Sequence, residues 1–286
     1  MEQRRIAGVT VGAIGFGAMH LSNPRLTDDA QAVRTMHEAL DQGMTLVDTA
    51  DAYTPDHRGP GHNEEIVAKA LASYGTGADE VLVATKGGHT RDGGEWGLNG
   101  RPEYIRRAAE ASLRRLGVEA IALYQHHRPD PAVPYAETIG AFKDLLDDGL
   151  IQRAGLSNAN PDQIREAREI LGDGLVSVQN QFSPSFRSSE PELELCAELG
   201  LAFLPWSPLG GLRGAKELGS QTAGFGEIAE KYSVTPQQVC LAWMLAKSPV
   251  VIPIPGASRP ESVRSSAAAS ELKLDPEDLA RLDQTG

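Results

Sequence analysis

The strongest constraint on this chain is a regular beat of short runs, rich in apolar and β-branched residues, each followed by a helical pattern. The runs fall at 12–17, 44–49, 80–86, 119–126, 151–157, 174–181, 201–206 and 249–254. Between 102 and 117 the helical stripe is Ile105, Ala109, Ser112–Leu113 and Leu116; between 135 and 149 it is Tyr135, Ile139, Phe142 and Leu145–Leu146. Spacings of three and four place each set on one helix face. Asn160-Pro161, Thr235-Pro236 and Asp275-Pro276 mark helix starts, a polar cap followed by a proline whose missing N–H is harmless in the first turn. Gln163 and Gln238 complete capping-box spacing, and Gly43, Gly117, Gly149 and Gly200 stand where helices end.

Alternating strand–helix units imply parallel strands joined by right-handed crossovers. Eight of them in 286 residues, with no break in composition, fit a closed α/β (β/α)8 TIM barrel better than an open sheet. The expectation is a single domain over 1–286, with its site at the carboxyl-end rim of the strands. The rival dinucleotide-binding sheet fails on its own fingerprint, because "GFGAMH" supplies Gly15 and Gly17 but puts His20 at the third glycine position.

A formal net charge of −12 speaks against nucleic acid or an anionic membrane as partner. No stretch approaches the ~20 apolar residues of a membrane helix. Arg4–Arg5 before "IAGVTVGAIGFGAMHL" has the outline of a secretion signal, but the run is glycine-rich and ends without a small-residue cleavage site. Cys196 and Cys240 show neither metal nor redox spacing, so a reducing cytoplasm is the expected location.

Barrel chemistry gathers where strands end. Those ends read Asp48 with Tyr53 five residues on, then Lys86, His126–His127, Ser157–Asn158, Gln179–Asn180 and Trp206–Ser207, and the eighth run leads into "IPGASR". Singly, each has a plain explanation: a loop cap for Asp48, barrel-top packing for Tyr53, snorkelling for Lys86, structural hydrogen bonding for His127. Converging from the second, third and fourth strands, they make a proton-delivery unit. A free tyrosine titrates near ~10. A neighbouring ammonium lowers that value, and a buried ammonium stays charged only beside a carboxylate. The expected order is therefore Asp48, Lys86, Tyr53, with a lowered Tyr53 pKa and with His127 donating to the substrate oxygen.

A metal-dependent hydrolase is one rival, built on His57, His62, His89, His126 and His127 with Asp48 and Asp51. Adjacent strand residues point to opposite faces, so His126 and His127 cannot both line the barrel mouth, and no metal is expected. Asp51 is assigned to local turn bonding.

Taken together these segments resemble the aldo-keto reductase superfamily over essentially the whole chain. "VDTADAY", "LVATK" and "LYQHHRPD" are similar to its aspartate–tyrosine, lysine and histidine segments, and "GLSN", "VQNQFS", "PWSPLGG" and "IPGAS" to its cofactor segments, in order. The resemblance implies metal-free hydride transfer between a nicotinamide cofactor and an aldehyde or ketone, NADP(H) favoured over NAD(H), and a small-molecule substrate. It implies that Ser157, Asn158 and Gln179 bond the carboxamide and that Trp206 stacks on the nicotinamide. Ser207, Leu209 and Gly211 would approach the pyrophosphate, and Gly256, Ser258 and Arg259, with Arg264 nearby, the 2′-phosphate. Ser265-Ser266 departs from the family's adenine contacts. The layout also looks like the bacterial pyridoxal reductase branch. A nicotinamide-binding regulatory subunit is the second reading, against which the complete proton group argues. Met19, Trp96 in the glycine-rich 87–100 loop, and the His57–His62 loop are expected to shape the substrate pocket.

Overall fold

In the computed structural model, which describes residues 1–221 and 223–285, the chain opens with an antiparallel hairpin of β1 (Gln3–Ile6) and β2 (Val9–Gly12). The sheet begins with β3 (Phe16–Gly17), β4 (Leu46–Asp48) and β5 (Leu82–Gly87). A second hairpin, β6 (His89–Asp92) and β7 (Glu95–Leu98), stands apart from it. The sheet continues with β8 (Leu123–His126), β9 (Ala154–Ser157), β10 (Leu175–Gln179) and β11 (Ala202–Phe203). The spatial order is β11-β10-β9-β8-β5-β4-β3, parallel throughout.

The eighth run closes the ring without forming a regular strand. Ile252 N donates to Phe203 O and Gly15 N to Pro253 O, both at 2.9 Å, and Gly17 N donates to Pro255 O at 3.1 Å. Pro253 and Pro255 have no N–H to return toward β3, so half of that ladder is missing and only isolated bridges remain. The first run, 12–17, is likewise shorter than expected: Gly12 ends the hairpin, and only Phe16–Gly17 pairs with β4. The rest follows the (β/α)8 plan.

Helices α1 (Asp29–Asp41), α2 (His62–Tyr74), α3 (Pro102–Leu116), α4 (Tyr135–Asp147), α5 (Pro161–Leu171) and α6 (Glu190–Leu199) follow successive strands. After β11 come α7 (Gly211–Gln221), α8 (Ala223–Tyr232) and α9 (Pro236–Lys247), and after the eighth run α10 (Pro260–Ala268) and α11 (Pro276–Asp283). The capping boxes at Asn160/Gln163 and Thr235/Gln238 form as expected, whereas Asp275 makes no side-chain cap bond. Gly43, Gly117, Gly149 and Gly200 all take positive φ at helix ends.

The barrel interior is where fold becomes site. Ile6 and Val11 of the first hairpin pack with Leu46, Leu82, Leu123 and Ile252 in one apolar cluster. Two residues beyond Leu46, Ala84 and Leu123 on the same inward faces, period-two alternation brings up Asp48, Lys86 and Gln125. In β10 a bulge between Leu175 and Ser177 resets the phase and turns Gln179 inward. Gly155 makes room for this layer, since a Cβ there would lie 2.5 Å from Ser177 Oγ and 2.9 Å from Gln125 Cγ. A polar floor thus lies directly on an oily one.

Candidate active site

Lys86 is fully buried, and its three ammonium hydrogens have three acceptors: Asp48 Oδ2 at 2.7 Å, Thr49 O at 3.0 Å and Tyr53 Oη at 3.0 Å. The other Asp48 oxygen, Oδ1, accepts from Gln179 Nε2 at 2.7 Å and Gln125 Nε2 at 3.1 Å. A buried ion pair persists only when its remaining lone pairs and protons are satisfied, and here both amides serve that end. Burial works hardest to discharge Lys86, but Asp48 and then Tyr53 outweigh it and hold its pKa above the ordinary lysine value. The ammonium is permanent at neutral pH.

The Tyr53 phenol is not lowered as expected. Burial pushes its pKa up most, Lys86 pulls it down, and Asp48 and Asp51 push it up again, for a net rise. Lys86 therefore limits the rise instead of producing a fall, and the phenol stays protonated until an acceptor needs the hydrogen.

His127 turns toward this cluster, its ring edge-on to Tyr53 at 5.6 Å between centroids. Burial first, then the Lys86 charge, drops its pKa well below the ordinary value, so the ring is neutral. Its Nδ1 is buried without a partner. Putting the proton on Nε2 leaves an unpaired acceptor there and not an unpaired donor, and that tautomer is assigned on this ground. His126 points the other way, packed against Tyr135 and Phe142, as alternation requires.

A cavity of about 450 Å³ opens above the cluster, within the ~300–1,000 Å³ range of ligand sites. Asp48, Tyr53, His127, Ser157, Asn158 and Gln179 line it, with Lys86 behind them. Trp206, Ser207, Leu209, Gly211 and Gly256 also line it, as do the exposed side chains of Met19 and Trp96. Ser258 and Arg259 lie outside it. Ser207, Gly210 and Gly211 take φ of +48°, +77° and +76° in the turn that leads into α7, where Gly210 N donates back to Ser207 O at 2.9 Å.

The aldo/keto reductase family profile matches residues 13–286. The chain belongs to the aldo/keto reductase family. An uncharacterized oxidoreductase of Schizosaccharomyces pombe is 33% identical over 287 residues, 99% of this chain and 89% of the relative. Among solved structures, the glycerol dehydrogenase of Gluconobacter oxydans superposes with a TM-score of 0.84 at 28% identity, covering 98% of this chain and 94% of its own. An aldo-keto reductase from Klebsiella pneumoniae in complex with NADPH gives 0.81 at 26% identity, over 99% and 95% of the two chains. As an aldo/keto reductase the chain is an NAD(P)H-dependent oxidoreductase of carbonyl and alcohol groups, and no helix among its described residues is long and apolar enough to cross a membrane.

Set in the aldo/keto reductase barrel, several expectations change. Gln179 spends its amide nitrogen on Asp48, leaving only its oxygen for a ligand. Arg264 is tied to Glu38 at 2.6 Å and Glu261 at 3.4 Å, so of the two arginines only Arg259 carries no ion pair among the described residues. Asp51 does bond locally, its carboxyl accepting from the Ala52 backbone, but it is also buried. Its backbone carbonyl accepts from Gly61 N at 2.6 Å, but its carboxyl Oδ1 is buried without a partner. Burial, then the nearby Glu64 charge, raises its pKa to about 8. Glu64 is itself held by Thr85 Oγ1 and Arg115 Nε, each at 2.6 Å. Among the described residues no three His, Cys, Asp or Glu side chains gather as metal ligands.

Sequence reasoning missed Gln125, although the alternation that turns His127 inward turns Gln125 inward too. It also took 87–100 for an irregular loop. That segment is the β6–β7 hairpin, turning at Gly93–Gly94, both with positive φ.

Proposed function

We propose that this enzyme uses NADPH to reduce an aldehyde or ketone to an alcohol, with Tyr53 as proton donor. The observation that carries the proposal is the Lys86 ammonium, 2.7 Å from Asp48 Oδ2 and 3.0 Å from Tyr53 Oη, at the floor of a ligand-sized cavity. When bound, the reduced nicotinamide supplies the hydride. Tyr53 Oη passes its proton to the carbonyl oxygen as negative charge grows there, and Lys86 stabilises the phenolate left behind. Asp48 keeps Lys86 charged, and Gln125 and Gln179 hold Asp48 in place. Neutral His127 donates from Nε2 to the same oxygen and fixes its angle. In oxidation Tyr53 is the base.

The side chains suit the cofactor. Ser157, Asn158 and the Gln179 oxygen offer partners for the carboxamide, and the Trp206 indole offers a broad face for the nicotinamide. The turn through Ser207, Leu209 and Gly211 presents backbone donors to the pyrophosphate. Gly256, Ser258 and the Arg259 guanidinium, which has no ion pair among the described residues, suit a 2′-phosphate, which favours NADP(H) over NAD(H). The NADPH-bound Klebsiella pneumoniae relative supports the same choice. Aldehydes, sugars and ketones are the candidate substrates, pyridoxal among them. The two cysteines are free and buried, in keeping with a reducing cytoplasm.

Tyr53→Phe tests this reading. Turnover falls about 10²–10⁴-fold while NADPH still binds, measured by fluorescence titration. Turnover within a few-fold of wild type removes Tyr53 from its role.

A further inference from the structure

Within the reductase reading, on which this inference rests, His89 is a polar side chain of the cavity wall with no task so far. His89 opens β6 and lines the cavity beside His127. Its Nδ1 lies 3.0 Å from the Gly97 carbonyl. A carbonyl can only accept, so the ring proton sits on Nδ1, and in the neutral ring Nε2 is a bare acceptor. Burial lowers the pKa of the ring and keeps it neutral. Nε2 has no hydrogen-bond partner among the described residues and is not among the buried unpaired atoms, so it meets open space on a cavity-lining side chain.

The ring is also held still. Besides the Gly97 bond, it packs edge-on to His127 at 4.3 Å and to Trp96 at 5.1 Å between centroids. The Arg91 guanidinium caps the Trp96 ring at 4.4 Å and pairs with Asp56 at 2.6 Å, which ties the hairpin to the loop that carries Tyr53. A fixed acceptor is the kind of group that selects substrates, because a bound molecule lacking the matching donor leaves it unpaired.

We infer that His89 Nε2 accepts a hydrogen bond from a hydroxyl on the carbon next to the substrate carbonyl, so that the enzyme selects α-hydroxy aldehydes and ketones. The two histidines are complementary in polarity: His127 donates to the carbonyl oxygen and His89 accepts from its neighbour. With 4.3 Å between ring centroids, the two rings stand side by side on the cavity wall, close enough for one small substrate to reach both. A 1,2-dicarbonyl presents an acceptor to an acceptor and is disfavoured.

The test compares kcat/KM for 2-hydroxypropanal with that for propanal, which differ by one hydroxyl. In wild type the ratio favours the hydroxy compound. In His89→Phe, which keeps the edge-on packing but no acceptor, the ratio falls by about tenfold. His89→Gln, which offers an amide oxygen near the Nε2 position, recovers part of it. A ratio unchanged in His89→Phe overturns the inference, whether both rates hold or both fall together, the latter being the mark of a purely structural His89. Wild-type protein that turns over neither aldehyde sinks the reductase reading, and this inference with it.

Discussion

Asp51→Asn is predicted to stabilise the protein, and to do so in a pH-dependent way. The Asp51 carboxyl moves from 3.8 to about 8 on folding, so between those values the native state holds one proton more than the unfolded chain. Stability therefore falls as pH rises across that window, at ~1.4 kcal/mol per pH unit, with the loss complete above about pH 8. At pH 7 the native carboxyl is protonated at a cost of about 4 kcal/mol relative to an ionised carboxylate in the unfolded chain. Asparagine copies the shape of the protonated acid and needs no proton. Its amide brings an extra donor into a pocket where Oδ1 already lacks a partner, which takes back ~1–3 kcal/mol. The net gain at pH 7 is thus of order 1–3 kcal/mol. The offset from the extra donor does not depend on pH, so the sharper readout is the trend. In urea unfolding from about pH 5 to about pH 9, the variant's advantage grows by ~1.4 kcal/mol per unit and levels off near pH 8. A difference that is flat with pH means that Asp51 is ionised in the native state and refutes the reasoning.

Gln125→Leu removes one of the two amide donors on Asp48 Oδ1, lowering unfolding stability by ~1–3 kcal/mol and turnover with it. Urea melts and initial rates check this, and an unchanged variant shows that Gln179 suffices alone. Arg259→Ala raises KM for NADPH about tenfold, as loss of a charge-assisted contact predicts, and leaves KM for NADH nearly unchanged. Equal effects on both cofactors place the 2′-phosphate elsewhere.

What could be read from the sequence follows from the range of each rule. Period-two alternation and strand ends are local, so Asp48, Lys86, Tyr53 and His127 were legible, and so were the capping boxes at Asn160 and Thr235. The hairpins were not, because glycine marks both a turn and a loop, and only cross-strand pairing such as Arg91 with Trp96 tells them apart. Prolines at 253 and 255 suit an edge strand by local rules; that this edge meets β3 is a matter of ring closure. The sign of the Tyr53 shift was hidden for a related reason. Lys86 was the legible partner, but the rise comes from burial and from Asp48 and Asp51 together, a sum set by three-dimensional packing.

The same packing explains why the lysine can be buried at all. Removing an isolated ammonium from water costs several kcal/mol, and no two adjacent strands could offset that. Asp48 comes from β4, Lys86 from β5, Gln125 from β8 and Gln179 from β10, positions far apart in sequence that meet only when the sheet curls into a ring. The bulge in β10 is part of the solution, since without its change of phase Gln179 would face the helices and Asp48 Oδ1 would lose its shorter bond, at 2.7 Å. Barrel closure and a charged Lys86 are therefore one condition: a chain that fails to close the ring has no means to keep that ammonium in the core, and with it goes the group that stabilises the Tyr53 phenolate.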